Sequence, residues 1–212
     1  MSTFLVCKTI WRSVAASFLK RSLAAGFTLI ELLVICAILV VVSGVILANN
    51  TAFGGAVLLE SMAYDMALAV REAQVYGVSV ARFGAGIYSA GYGMHFDTGS
   101  PGTFVLFADV LDPADGLYEE GEIVSSTDLQ RGYRIISLCS TQTDVAEVCG
   151  YSRLDISFIR PEPDAWISAD GASCILASGV CKESARIILQ SPRGDKTSVV
   201  VSINGQIFVE KI

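Results

Sequence analysis

Glu31 is the only charged side chain in the apolar run Phe27–Ala48, and the position of that carboxylate is the first piece of chemistry to explain. At about 1.5 Å per helical residue the run is long enough to cross a hydrocarbon layer about 30 Å thick. An acid inside such a span costs on the order of a few kcal/mol in lipid, so a compensating charge is expected. The nearest candidate is the α-amino group that a cut after Gly26 would expose on Phe27. Each subunit would then carry a cation and an anion four positions apart, and two copies could pair through them.

Residues 1–26 contain Lys8, Arg12, Lys20 and Arg21 and no acid, which by the positive-inside rule keeps this end in the cytoplasm and sends the remainder outward. A secretory signal peptide is cut after its apolar run. Gly26 lies before the run, so a cut there leaves the span attached.

The segment GFTLIELLVICAILVVVSG, Gly26 to Gly44, closely resembles the class III signal of type IV prepilins and type II secretion pseudopilins. The resemblance implies cleavage between Gly26 and Phe27 by an inner-membrane prepilin peptidase, N-methylation of Phe27, and use of Glu31 to register one subunit against the next. It also implies partners: other pilins or pseudopilins through the N-terminal helix, inner-membrane lipid and the inner-membrane assembly platform. The location implied is the bacterial inner membrane with the head in the periplasm, and then a pilus or pseudopilus. The leader is longer than usual in the commonest subclass and has its own apolar stretch from Trp11 to Leu19. It is either of the long type, or translation begins later.

The elements that must position these groups follow from patterning. The expected fold is α+β and pilin-like: a leader at 1–26, a transmembrane helix at 27–48, an amphipathic second helical part at 49–77 and a β-rich head at 78–212. The breaker-rich patch Asn49–Gly55 predicts a kink, and Leu58, Met62, Met66, Leu68, Ala69 and Ala73 form a stripe for packing on a sheet. Gly77 is read as the helix stop. AVREAQVYGVSV, from Ala69 to Val80, resembles the helix end of minor subunits of the GspH, FimT and FimU type. Short β-type runs are expected at Val78–Phe83, Gly93–Phe96, Thr103–Ala108, Tyr133–Leu138, Leu154–Ile159, Ala185–Gln190, Ser198–Ile203 and Gln206–Val209, in antiparallel sheets. Asn204-Gly205 signals a type I′ hairpin turn. The glycine-rich stretch Gly84–Gly93 precedes no helical pattern and reads as a hairpin, not a phosphate loop.

Cys7 lies in the leader and Cys36 in the span, which leaves Cys139, Cys149, Cys174 and Cys181 in the head. In an oxidising compartment the economical pairing is Cys139 with Cys149 and Cys174 with Cys181, although four cysteines allow three connectivities. Zinc would call for paired C-x-x-C spacing, which is absent.

The stretch Phe107–Glu122 is dense in carboxylates. With Asp115 and Gly116 at the fifth and sixth positions of an EF-hand-like loop, Glu122 falls on the twelfth, where a bidentate carboxylate closes calcium coordination. The first and third positions are Leu111 and Pro113, so Asp109 and Asp112 would have to supply the other ligands. A structural calcium on Asp109, Asp112, Asp115 and Glu122 is one reading, and a solvated acidic turn is the other.

No catalytic constellation stands out. His95, the single histidine, sits in a β-type run among Tyr92, Met94 and Phe96, and no serine or acid has the spacing of a nucleophile elbow. No enzyme is expected. The formal charge of −6, more negative once the leader cations are gone, disfavours nucleic acid. At the C-terminus, SINGQIFVEKI puts Gln206 and Phe208 where DNA-uptake relatives of the FimT type would have arginines. The function expected is that of a structural minor pilin in type IV pilus initiation or assembly. The alternative is the minor pseudopilin H of a type II secretion system, with a DNA-uptake pilin or tip adhesin behind both.

Overall fold

The computed structural model describes residues 27–79, 82–84, 91–111, 113–142, 145–176 and 181–212, with 48–54 as helical backbone only. The leader with Gly26, the centre of the glycine-rich stretch and Asp112 lie outside the described residues. The chain divides into two compact units, Met1–Asn49 and Asn50–Ile212.

In the first unit the helix α1 (Leu29–Val78) begins. Its segment Leu29–Leu47 is long and apolar enough to cross a membrane, and none of it is buried within the protein. The helical assignment continues through Asn49–Gly55, so the breaker-rich patch does not interrupt the backbone pattern.

Among the described residues the second unit holds the rest of α1 and ten strands: β1 (Gly91–Asp97), β2 (Thr103–Asp109), β3 (Ile123–Asp128), β4 (Arg134–Gln142), β5 (Val145–Cys149), β6 (Arg153–Phe158), β7 (Ala165–Ala169), β8 (Ser184–Gln190), β9 (Lys196–Ser202) and β10 (Ile207–Lys211). They form two five-stranded antiparallel sheets, ordered β3-β2-β1-β6-β7 and β10-β9-β8-β4-β5. With the apolar helix this is the α+β, pilin-like arrangement the sequence predicts.

The core lies where α1 meets the inner faces of both sheets. Leu59, Ala63, Met66, Val70 and Ala73, at alternating spacings of four and three, are buried with Met94, Phe96, Leu154, Ile156 and Phe158 of one sheet and Leu138, Ile187, Leu189, Val199 and Val201 of the other. The buried line is thus rotated from the expected stripe: Leu58, Met62 and Ala69 are only partly buried, and Leu68 is 65% exposed. Gly77 also has a different role. The helix runs past it to Val78, and a Cβ at Gly77 would lie 2.3 Å from Phe158 O and 2.8 Å from Phe158 Cβ. This glycine lets α1 close on β6.

Seven of the eight expected runs correspond to strands. The expected run Val78–Phe83 does not, because α1 takes Val78 and only Phe83 forms a bridge among its described residues. The hairpin at Asn204-Gly205 is present with another turn. Val201 pairs with Ile207, Gly205 N–H donates to Ser202 O at 2.9 Å, and Gly205 has φ +75°, whereas Asn204 has no positive φ. A type I′ turn needs positive φ at both central residues, so this is a three-residue loop closed by a left-handed glycine.

Candidate functional site

The chemistry at the N-terminal end of α1 begins with its cap. Thr28 precedes the first helical residue, and its Oγ1 accepts the Glu31 N–H at 3.3 Å. Thr28 is the N-cap and Glu31 the N3 residue of a T-x-x-E sequence, which satisfies one of the helix's unpaired donors. An acid in the first turn also complements the positive end of the helix dipole, so Glu31 has an intrahelical role beside any pairing with a neighbour. Phe27, Leu29, Ile30, Leu32 and Leu33 are all more than half exposed in the isolated chain. A row of exposed apolar side chains around one carboxylate needs lipid or other helices to cover it.

The acidic stretch 109–122 is a strap across the outer face of the first sheet. Phe107, Asp155, Ser157 and Ser168 point away from the main core, yet all four are fully buried. Gly116 shows how closely the strap lies over Ser157: a Cβ there would lie 2.7 Å from Ser157 Oγ and 2.4 Å from Ile175 Cδ1. With φ +73° as well, this position demands glycine.

The strap's carboxylates are turned onto its own backbone. Glu122 Oε1 accepts the N–H groups of Val110 and Leu111 at 2.9 and 3.1 Å, and Oε2 accepts that of Glu119 at 2.9 Å. Asp109 Oδ2 accepts Gly116 N–H at 2.7 Å, and Asp115 Oδ1 accepts Leu117 N–H at 2.9 Å. Burial pushes the Asp109 carboxyl up to about 6; the nearby Glu122 and Asp115 push the same way, and the Gly116 N–H opposes them. Among the described residues no three His, Cys, Asp or Glu side chains are placed to hold a metal ion. Of the residues assigned to calcium by the sequence reading, Asp109, Asp115 and Glu122 accept hydrogen bonds from the strap's own backbone, and Asp112 lies outside the described residues.

Sequence reasoning missed the charged cluster beneath this strap. His95 Nδ1 lies 2.7 Å from Asp155 Oδ1, and Arg153 Nε donates to Asp155 Oδ2 at 2.6 Å. Arg153 Nη2 donates to Tyr118 O at 2.6 Å, while the Tyr118 ring stacks on His95 at a centroid distance of 4.6 Å. The fully buried Asp155 therefore has partners for both oxygens, and the cluster clamps the strap at Tyr118. Its assembly depends on the antiparallel register that sets His95 opposite Asp155, 60 residues away, which no local spacing reveals.

Cys139 and Cys149 face each other in register on β4 and β5 and are joined, as are Cys174 and Cys181. The second bridge sits by the strap, where Cys174 N–H donates to Ser168 Oγ at 2.9 Å and Ser173 Oγ–H donates to Asp115 O. Cys36 is free and exposed.

Residues 21–47 match the prokaryotic N-terminal methylation motif. No curated protein and no solved structure matches the chain. The motif and the apolar helix together support a type IV pilin-like protein, a structural rather than a catalytic class. Such a motif implies interaction with other pilins and with a prepilin peptidase in general, and the apolar helix fits membrane anchoring.

Proposed function

We propose that the chain is a minor pilin, cut after Gly26 and methylated on Phe27, that takes part in initiating or assembling a type IV pilus. The observation that carries this reading is Glu31: one carboxylate in the first turn of an apolar helix whose neighbouring side chains are exposed among the described residues. A neighbouring subunit's N-terminal amine supplies the compensating cation, and neighbouring helices cover the apolar faces. The acidic, disulfide-bearing head is then displayed from the filament or held at its tip. The same helix and head would also serve as the minor pseudopilin of a type II secretion fibre.

Two measurements test this. Glu31→Ala should leave membrane insertion intact and reduce incorporation into sheared fibres, and normal incorporation would show the charge-pair account to be wrong. Deletion of the protein, with surface fibres and secreted protein measured in parallel, distinguishes the two assemblies. Loss of fibres with intact secretion supports the pilus, and the reverse supports the secretion fibre.

A further inference from the structure

Against the acidic balance of the chain, one end of the head gathers cations. The turn leading into β4 carries Arg131 and Arg134, and the turn between β8 and β9 carries Arg193 and Lys196. Pairing of Arg134 with Gln190 puts both turns at the same end of the second sheet, and Gly132 lies against Pro192, with 3.3 Å from its Cβ position to Pro192 Cγ. Both turns are fixed to α1 at one residue. Tyr133 Oη donates to Gly55 O at 3.0 Å, and Arg193 Nη1 lies 3.2 Å from the Cβ position of Gly55.

These four side chains are exposed, and none takes part in an ion pair among the described residues, whose ion pairs use Arg153, Arg186, Lys211 and His95. The acid among them, Asp195, accepts a hydrogen bond from the Ser191 hydroxyl. Arg131 has φ +61° and is followed by Gly132 at +78°, a pair of left-handed residues in a turn closed by Tyr133 N–H on Gln130 O. Asparagine or glycine fits such a position with less strain, so an exposed arginine held there is an outlier that calls for a functional account.

We propose that this cluster docks the head on anionic phospholipid headgroups of the membrane that holds α1; the proposal rests on the membrane-anchored reading above. Gly55 follows Leu47, the end of the apolar span, by eight residues, about 12 Å of helical chain. The headgroup layer is roughly 5–8 Å deep on each side of the hydrocarbon. A connection of this length can bring the turns held at Gly55 to lipid phosphates, and arginine binds phosphate through its planar fork. Before assembly the head would rest on the membrane, and entry into a fibre would exchange these contacts for contacts with neighbouring subunits.

The test uses the mature full-length chain in lipid nanodiscs, with Cys36→Ala and a fluorophore on Gln130→Cys, and reads quenching by nitroxide-headgroup lipid. Quenching should be stronger in discs containing phosphatidylglycerol than in phosphatidylcholine alone, and should weaken as salt shortens the Debye length from about 10 Å at 0.1 M to about 3 Å at 1 M. Each cation near an anionic surface adds about fivefold in local partitioning, so combined Arg131→Gln, Arg134→Gln, Arg193→Gln and Lys196→Gln should reduce quenching to the phosphatidylcholine level. Asp195→Asn should increase it. Equal quenching in both discs, or no response to the four substitutions, overturns the proposal. So does salt-sensitive capture of duplex DNA by the same cations without headgroup quenching. A chain that enters neither disc defeats the anchoring reading and this proposal together, whereas one that inserts and stays unquenched defeats this proposal alone.

Discussion

Gln74 Nε2 donates to Gly205 O at 3.1 Å, and the same nitrogen donates to Pro163 O at 2.8 Å. One buried amide on α1 thus holds the C-terminal hairpin and the segment before β7, parts of the chain 131 and 89 residues away. The hairpin fits only because residue 205 is glycine: a Cβ there would lie 2.3 Å from Pro163 O and 2.4 Å from Gln74 Nε2. Replacing Gln74 with leucine leaves two carbonyls short of a donor, and each costs about 1–3 kcal/mol if it stays dry. Gln74→Leu should lower the unfolding free energy of the mature chain in detergent by roughly 2–4 kcal/mol. A denaturant midpoint equal to wild type would show that water replaces the amide freely.

Gly77→Ala tests the closeness of α1 to β6. Alanine is the better helix former, by about 1 kcal/mol at an exposed site. Here its methyl group would meet Phe158 O at 2.3 Å, a backbone atom that cannot swing away. Overpacking costs typically about 1–3 kcal/mol, so the variant should be less stable despite its propensity. A stabilised Gly77→Ala chain would mean that this glycine only marks the helix end.

How much of the molecule is legible in its sequence depends on which partner each residue faces. The core strands announce themselves: Met94 and Phe96, or Leu154, Ile156 and Phe158, alternate and are buried on one face. The edge strands β3 and β5 are exposed along their whole length, and IVSSTD and VAEVC carry no one-sided apolar pattern to read. The helix stripe is misplaced by patterning because Leu68 is as apolar as Val70, and only the sheet decides which of the two is covered. Glu31 is legible because a lone acid in an apolar run is a local feature, whereas the Thr28 hydroxyl that accepts its N–H emerges only in the structure. The strap's carboxylates are legible as a cluster, but their acceptor role is not, since Glu122 looks the same whether it meets three N–H groups or a cation.

The Cys139–Cys149 bridge closes a separation of ten residues and holds the exposed strand β5 on β4. A loop of this length restricts the unfolded chain by about 2–3 kcal/mol. The double variant Cys139→Ser/Cys149→Ser should lose about that much stability. It should also make the amide of Val148, opposite Ser140, exchange much faster than those of β8 and β9, which lie inside the sheet. Uniform exchange across the second sheet would indicate that β5 is held by other contacts.

Asp109 should give the head a pH dependence opposite in sign to that of an ordinary paired carboxylate. Its folded pKa is raised from 3.8 to about 6, so between these values the folded state binds more proton than the unfolded state. Stability from this group is complete below about pH 4 and is lost as pH rises through 6. Asp109→Asn keeps an oxygen for the Gly116 N–H and removes the titration, so it should match wild type near pH 4. From there to pH 7 it should gain on wild type by on the order of 1–2 kcal/mol, because a tenfold change in proton affinity corresponds to about 1.4 kcal/mol before solvent screening. Melts in chelator, with the difference between the two chains plotted against pH, measure this directly. Calcium binding to the strap would reverse the sign, because the ion needs the ionised carboxylate: wild type, but not Asp109→Asn, would then gain stability with added calcium as pH rises.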